Sequence, residues 1–371
     1  MRILITGGAG FIGSHLADAL LERGHEVRAL DNLSPQVHGP AGTRPSYLSP
    51  GVELLRGDVR DADTVRRALR GVDAVYHFAA AVGVGQSMYE IDHYTSVNNG
   101  GTAVLLQALI EQPVERLVVA SSMSIYGEGL YRAPGGAIVP GRERPIEQLR
   151  AGKWEVRDET GETLTPVATP ESKPPALSSI YALSKFDQER MCLLIGRAYN
   201  IPTIALRFFN VFGTRQSLSN PYTGVLAIFA SRLLNDRAPL IFEDGLQRRD
   251  FVSVLDIAHA CALALDAPAD AAAGRAFNVG SGHAYTIREV ALMLGGILGK
   301  AVEPEICGKY RVGDIRHCFA DIRLARRVLG YEPKVGLEEG LVELAEWLQD
   351  QTADDHVADA RSELEKRGLA I

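Results

Sequence analysis

Arg2-Ile3-Leu4-Ile5-Thr6 runs without a break into Gly7-Gly8-Ala9-Gly10-Phe11-Ile12-Gly13, and Ser14–Arg23 then carries helical spacing. A short apolar run, glycines at every third position and a helix make a strand-to-helix turn. Glycine at Gly7, Gly10 and Gly13 lets the backbone turn tightly and approach a pyrophosphate. The unpaired N–H groups and positive dipole end of the helix attract that anion. Glycine-rich turns are common, so the series decides little alone. Its context decides more. The next apolar run, Glu26–Leu30, ends on Asp31. A carboxylate there accepts hydrogen bonds from adenosine ribose hydroxyls and repels a 2′-phosphate, which favours NAD over NADP. Asp58, in Gly57-Asp58-Val59, ends the third run and is placed to face the adenine.

Outward from this turn, Val52–Arg56, Ala74–Phe78 and Leu117–Ser121 also read as strands, with helical spacing at Thr64–Leu69 and Thr102–Glu111. Thr203–Phe208 and Ala276–Val279 extend the series. Strands separated by helices, and apolar almost throughout, predict an α/β fold: a Rossmann-type doubly wound parallel sheet covered on both faces. The expected division is a dinucleotide-binding domain over 1–207 and 241–280, with a smaller C-terminal substrate-binding domain over 208–240 and 281–350. Residues 130–175 change texture, being rich in Gly, Pro, Arg and Glu, and read as an insertion: a mobile element at the site mouth. Residues 351–371 are highly charged, with Val357, Ala360 and Leu364 to one side. They read as a surface helix or frayed tail.

The formal net charge of −7 speaks against a nucleic-acid surface, though a few local arginines suffice for an anionic small ligand. No apolar run reaches the roughly 18 residues that span a bilayer, and the N-terminus lacks the layout of a signal peptide. No membrane partner and a cytoplasmic location are therefore expected, and the sequon Asn32-Leu33-Ser34 is read as chance. Cys192, Cys261, Cys307 and Cys318 have no CxxC spacing and read as free thiols, with no metal site.

Tyr181-Ala182-Leu183-Ser184-Lys185 puts a phenol and an ammonium on one helical face. A nearby ammonium stabilises phenolate, and the lysine can also hold ribose hydroxyls. Such pairs are usually a solvated helix face. Here Ser121-Ser122-Met123-Ser124 closes an upstream strand, and a hydroxyl there can bond the same substrate oxygen.

With these motifs in order, the chain resembles the extended short-chain dehydrogenase/reductases, a family of NAD-dependent nucleotide-sugar epimerases and dehydratases, from Met1 to about Leu348. The resemblance implies NAD, a nucleotide-diphosphate sugar and a homodimer, paired through helices near Ser179–Ala198 and Tyr94–Glu111. It makes Thr6–Gly13 the cofactor loop, with Phe11 and Ile12 among its contacts. Asp31 and Asn32 become the ribose clamp, and Asp58 and Val59 the adenine contact. His77-Phe78-Ala79-Ala80 lines the nicotinamide side, and Asn98 is the family's structural asparagine, counted with the cofactor set. Ser122, Tyr181 and Lys185 match the catalytic triad. Ser124, Asn210, Arg249 and Arg311 fall on the substrate side, the last three as diphosphate contacts.

In this family a 4-keto sugar forms and other residues decide its fate. The dehydratases place Asp-Glu after the catalytic Ser or Thr, and the decarboxylases a Glu at the second position. Here Met123 and Ser124 follow Ser122. Neither is a general acid or base near neutral pH, which favours 4-epimerisation by return of hydride to the opposite face. The length of the insertion before Tyr181 resembles dTDP-L-rhamnose 4-epimerase-like members; UDP-hexose substrates stay open. The rivals are a 4-ketoreductase, a dehydratase or decarboxylase of the same family, and a non-enzymatic NAD sensor. Asp31 opposes the first, and the intact Tyr/Lys pair the last.

Overall fold

The computed structural model describes residues 1–300 and 302–370. Seven parallel strands form one sheet: β1 (Arg2–Thr6), β2 (Glu26–Asp31), β3 (Glu53–Arg56), β4 (Ala74–His77), β5 (Arg116–Ser122), β6 (Thr203–Phe208) and β7 (Arg275–Val279). Their order across the sheet is β7-β6-β5-β4-β1-β2-β3. Thr6, the last residue of β1, sits opposite Leu30 on one side and His77 on the other. The winding reverses between β1 and β4, so a crevice opens beyond their carboxyl ends.

The helices are α1 (Phe11–Glu22), α2 (Ala62–Ala68), α3 (Gly101–Glu111), α4 (Ile180–Ala198), α5 (Val225–Leu234), α6 (Val254–Asp266), α7 (Ile287–Ile297), α8 (Arg323–Leu329), α9 (Leu337–Leu348) and α10 (Val357–Lys366), besides shorter turns. Side chains alternate across each strand, so β1 feeds two cores. Ile3 and Ile5 join Leu16 and Leu20 of α1 and Ile257 and Ala264 of α6. Leu4 joins Val65 of α2, Leu105 and Leu109 of α3, and Cys192 of α4. Each such Ile or Leu contributes about 1.5–3 kcal/mol by leaving water.

A third core gathers Phe212, Phe229 of α5, Phe251, Leu294 of α7, and Leu341 and Leu344 of α9. The packing divides the later chain differently from the sequence reading. Ile315, Cys318, Ala320 and Ile322, with Ala325 and Leu329 of α8, join the first core instead of the third. Hydrophobic spacing reveals that a helix has an apolar face, not which of two cores receives it.

Residues 130–175 are an ordered subdomain. Leu130–Arg132 pairs antiparallel with Ile138–Pro140 and with Thr165–Val167, over a small core of Tyr131, Val156 and Leu164. Buried ion pairs tie it to the rest. Arg144 reaches Glu243 at 2.8 Å. Arg316, fully buried, meets Glu155 of the insertion at 2.5 Å, Glu243 at 2.9 Å and Asp244 at 2.6 Å. The expected mobile element is thus a clamped layer. Its anchors join residues far apart in sequence, where local composition carries no trace of them.

Gly13 fixes how closely α1 approaches the loop. A Cβ built there would stand 2.4 Å from the carbonyl oxygen of Gly7. Gly13→Ala should therefore destabilise the fold by about 1–3 kcal/mol in denaturant unfolding; a wild-type midpoint would show that the loop yields freely.

Candidate active site

Gly7 begins the turn at φ +71°, and its N–H donates to Leu30 O at 2.8 Å. A Cβ at Gly7 would lie 2.9 Å from Ala79 N, the opposite wall of the crevice. Gly8 is as constrained, with a Cβ position 2.7 Å from that of Ala29, a requirement that the GxxGxxG pattern omits. Gly10 caps α1 without a side-chain hydrogen bond, so the first-turn N–H groups face the crevice unspent. Asp31 accepts from Ala9 N at 3.0 Å and Leu33 N at 2.9 Å, holding its carboxylate at the end of β2. Asp58 accepts two bonds from the Arg60 guanidinium, at 2.9 and 2.8 Å, one from Arg60 N at 2.9 Å and one from Asn32 at 3.2 Å. The Arg60 guanidinium is the main cause that brings its carboxyl down to about 2. Arg60 was not singled out from sequence, although it lies two residues beyond Asp58.

Beneath Phe78 and Ala79 runs a buried polar chain. Thr6 Oγ1 is 2.8 Å from His77 Nδ1, and His77 Nε2 is 2.8 Å from Thr102 Oγ1. Gln188 Nε2 donates to Thr102 Oγ1 at 2.9 Å, and its Oε1 accepts from Lys185 Nζ at 2.7 Å. His77 is fully buried and its pKa falls to about 3, by burial first and the Lys185 charge second. Contrary to the sequence reading, His77 lies below the wall instead of lining it. Asn98 differs too. It occupies a π-helical turn, Thr95–Gly100, and is wholly buried. Its amide accepts from Ala81 N at 2.7 Å, and donates to Ala81 O at 3.1 Å and Ser184 Oγ at 2.9 Å. It holds the wall to α4 from behind, outside the cavity.

Ser122 ends β5 and caps the short helical turn Met123–Tyr126. Its Oγ accepts from Ser124 Oγ at 2.9 Å and Ser124 N at 3.2 Å, so its own proton is left to donate. Tyr181 and Lys185 stand one turn apart on α4, which Ser179 caps through Ala182 N. Burial raises the Tyr181 pKa, and a hydrogen bond with Ser122 opposes this. Burial lowers Lys185 to about 8. Gln188, three residues past Lys185 on the same helix, was missed in the sequence.

These groups line one cavity of about 640 Å³, which continues past Asn210, Arg249 and Arg311. Of the site residues read from the sequence, it takes in all but Asn98, His77 and, within the glycine loop, Thr6, Gly8 and Ala9. Arg311 donates three hydrogen bonds to Asp314, at 2.8–3.0 Å, and lies 5.3 Å from the Phe242 ring centroid. Arg249 donates to the carbonyls of Arg248 at 2.9 Å, Arg316 at 3.0 Å and Ile315. Asn210 Oδ1 is buried without a hydrogen-bond partner among the described residues.

Residues 3–148 and 158–280 match the NAD dependent epimerase/dehydratase family. The chain belongs to that family. It is an NAD-dependent enzyme of the extended short-chain dehydrogenase/reductase type. It is 36% identical over 352 residues to a dTDP-L-rhamnose 4-epimerase of Burkholderia thailandensis, covering 94% of each chain. A UDP-glucose 4-epimerase of Thermus thermophilus in complex with NAD superposes with a TM-score of 0.73 at 34% identity, over 95% of this chain and 100% of that one. A dTDP-glucose 4,6-dehydratase of Streptomyces venezuelae, with NAD bound, gives 0.75 at 29% identity, over 95% and 98%. The cradle fits the family's cofactor: side chains are excluded where a pyrophosphate would approach, and a buried carboxylate awaits a ribose.

A neutral amine cannot stabilise a phenolate, so Lys185 should set an alkaline limb of kcat/KM near pH 8. Gln188→Leu removes the acceptor of the ammonium and should move that limb to lower pH, by roughly one unit. An unmoved limb in a variant that retains NAD would contradict the coupling.

Proposed function

We propose that the protein is an NAD-dependent nucleotide-sugar 4-epimerase acting on a UDP- or dTDP-hexose, with dTDP-L-rhamnose the first substrate to test. One observation carries the reading. Among the described residues, the carboxylates lining the cavity are Asp31, Asp58 and Asp314. The first two lie on the adenosine side and the third is engaged by Arg311. No carboxylate remains beside Ser122 and Tyr181 to drive loss of water or assist loss of CO₂. The 36% identity to a dTDP-L-rhamnose 4-epimerase supports the reaction and the order of substrates.

NAD⁺, when bound, supplies a hydride acceptor that can return the hydride and a positive charge near the phenol. Tyr181 takes the proton from the sugar hydroxyl and later restores it, while the Ser122 proton bonds the same oxygen. Lys185 holds the ribose and stabilises the phenolate. Arg249, Arg311 and Asn210 grip the diphosphate, which leaves the keto sugar free to turn its other face. The enzyme works in the cytoplasm as a homodimer; Leu183 and Leu194, exposed on α4, support such a pairing.

Three measurements test this. With a C4-deuterated sugar nucleotide, the label should stay at C4 in the epimer with no net release of NADH. Product lacking water or CO₂, or a stoichiometric need for added NAD(P)H, would refute epimerisation. Tyr181→Phe should lower kcat by about 10²–10⁴-fold with NAD still bound, and a rate within threefold or so of wild type would remove Tyr181 from proton transfer. Asp31→Ser should weaken NAD and improve NADP in calorimetry, whereas an unchanged preference would mean the ribose is read elsewhere.

A further inference from the structure

The sequence treats residues 351–371 as a charged surface helix or frayed end. In the structure α10 is docked over the cavity. Val357, Ala360, Arg361 and Leu364 line it together, spaced three and four apart on one helical face. Leu364 is 4% exposed. A Cβ at Gly85 would lie 3.4 Å from Leu364 and 3.8 Å from Cδ of Arg311, so the leucine and the arginine stem both pack close to that glycine. Gly85 belongs to the turn Val84–Ser87, and Ser87 Oγ accepts from Tyr181 N at 3.0 Å.

The chain beyond α10 then pairs with the segment that carries Arg311. Val312 N donates to Leu369 O at 2.9 Å, and Arg311 and Ala370 form an antiparallel bridge. Lys309 meets Glu365 at 2.7 Å, and Arg367 stacks 4.4 Å from the Tyr89 ring centroid. Arg311 is thus fixed from three directions: Asp314 orients its guanidinium, Phe242 lies under it, and the tail pairs with its backbone.

We infer that α10 and its C-terminal extension are a working wall of the substrate site, which positions Arg311 and sets affinity for the nucleoside diphosphate part of the substrate. This rests on the nucleotide-sugar reading above. Val357, Ala360 and Leu364 give that wall an apolar surface, suited to the flat face of a base, and Arg361 adds a cation at its edge. Val357 and Leu364 touch ligand space directly, whereas Leu369 and Ala370 act through the backbone of Arg311.

The test uses the full-length, NAD-loaded enzyme, with UDP and dTDP as calorimetric probes beside steady-state kinetics. Ala360→Phe puts a ring into the cavity and should weaken nucleoside diphosphate binding by about tenfold or more. Leu364→Ala strips apolar surface from that wall beside Gly85 and should raise KM by roughly three- to tenfold with kcat little changed. Lys366→Ala, on the exposed end of the helix, should leave both alone. Variants that melt like wild type and keep wild-type nucleotide affinity overturn the inference. So do variants that melt lower yet bind unchanged, since they make the tail merely structural. Nucleotide binding is read without turnover, so an enzyme that epimerises no sugar but loses UDP or dTDP affinity in Ala360→Phe supports the wall while refuting the epimerase reading.

Discussion

The Lys185 amine depends on a proton arrangement that begins at Thr6, the last residue of β1. The Thr6 hydroxyl oxygen accepts from Phe78 N and Ala79 N, both at 3.2 Å, so its own proton must go to His77 Nδ1. That makes His77 the neutral tautomer with its proton on Nε2, donated to Thr102 Oγ1. Thr102 in turn donates to Asn98 O, and its oxygen accepts from the Gln188 amide. The Gln188 carbonyl is then left to face the Lys185 amine. Each donor has one acceptor, and a second proton on His77 would break the series. The low pKa of the buried imidazole is therefore a condition of the site's geometry. One chain of side chains fixes β1, the end of β4, the π-helical turn and α4 to each other, and the glycine loop shares that frame with the helix of Tyr181 and Lys185.

The substrate half is held by charge instead. Arg316 is fully buried among Glu155, Glu243 and Asp244, and its carbonyl accepts from Arg249. Buried charge is costly unless paired; removing one partner of such a group typically costs about 3–5 kcal/mol. Here the carboxylates come from two places, Glu155 from the insertion and Glu243 and Asp244 from the loop before Arg248–Arg249. The insertion therefore braces the strand that presents Arg249.

The strands were legible because burial on both faces imposes continuous apolar runs, and the structure moves none of their ends by more than one residue. Ser122, Tyr181 and Lys185 were legible because strand-end and i, i+4 placement are local. What was not legible depends on distant partners. Arg144 and Arg316 look like surface arginines until Glu128, Glu155 and Glu243 surround them. Asn98 was placed near the cofactor, yet the backbone of Ala81 and the Ser184 hydroxyl claim its amide. The helix of residues 357–366 could be guessed from its spacing, but its docking surface is built from residues such as 85 and 309, which no local pattern links to it.

An epimerase must hold its substrate firmly at one end and loosely at the other, and the proposed function assigns the arginines to the firm end. A guanidinium carries five N–H donors. Arg311 spends Nε and one terminal nitrogen on Asp314, which leaves the other terminal nitrogen unspent. Arg249 gives its terminal nitrogens to backbone carbonyls and keeps Nε–H. Neither side chain needs to abandon its anchor to meet a phosphate oxygen, so little ordering remains to be done on binding. The buried, partnerless Asn210 Oδ1 adds a fixed polar group in the same cavity. Around Ser122 and Tyr181 the described cavity offers hydroxyls and backbone but no carboxylate or guanidinium that would fix one face of a sugar ring against them. Rigid cations at the diphosphate and neutral donors at the sugar are what turning a 4-keto ring between two faces requires.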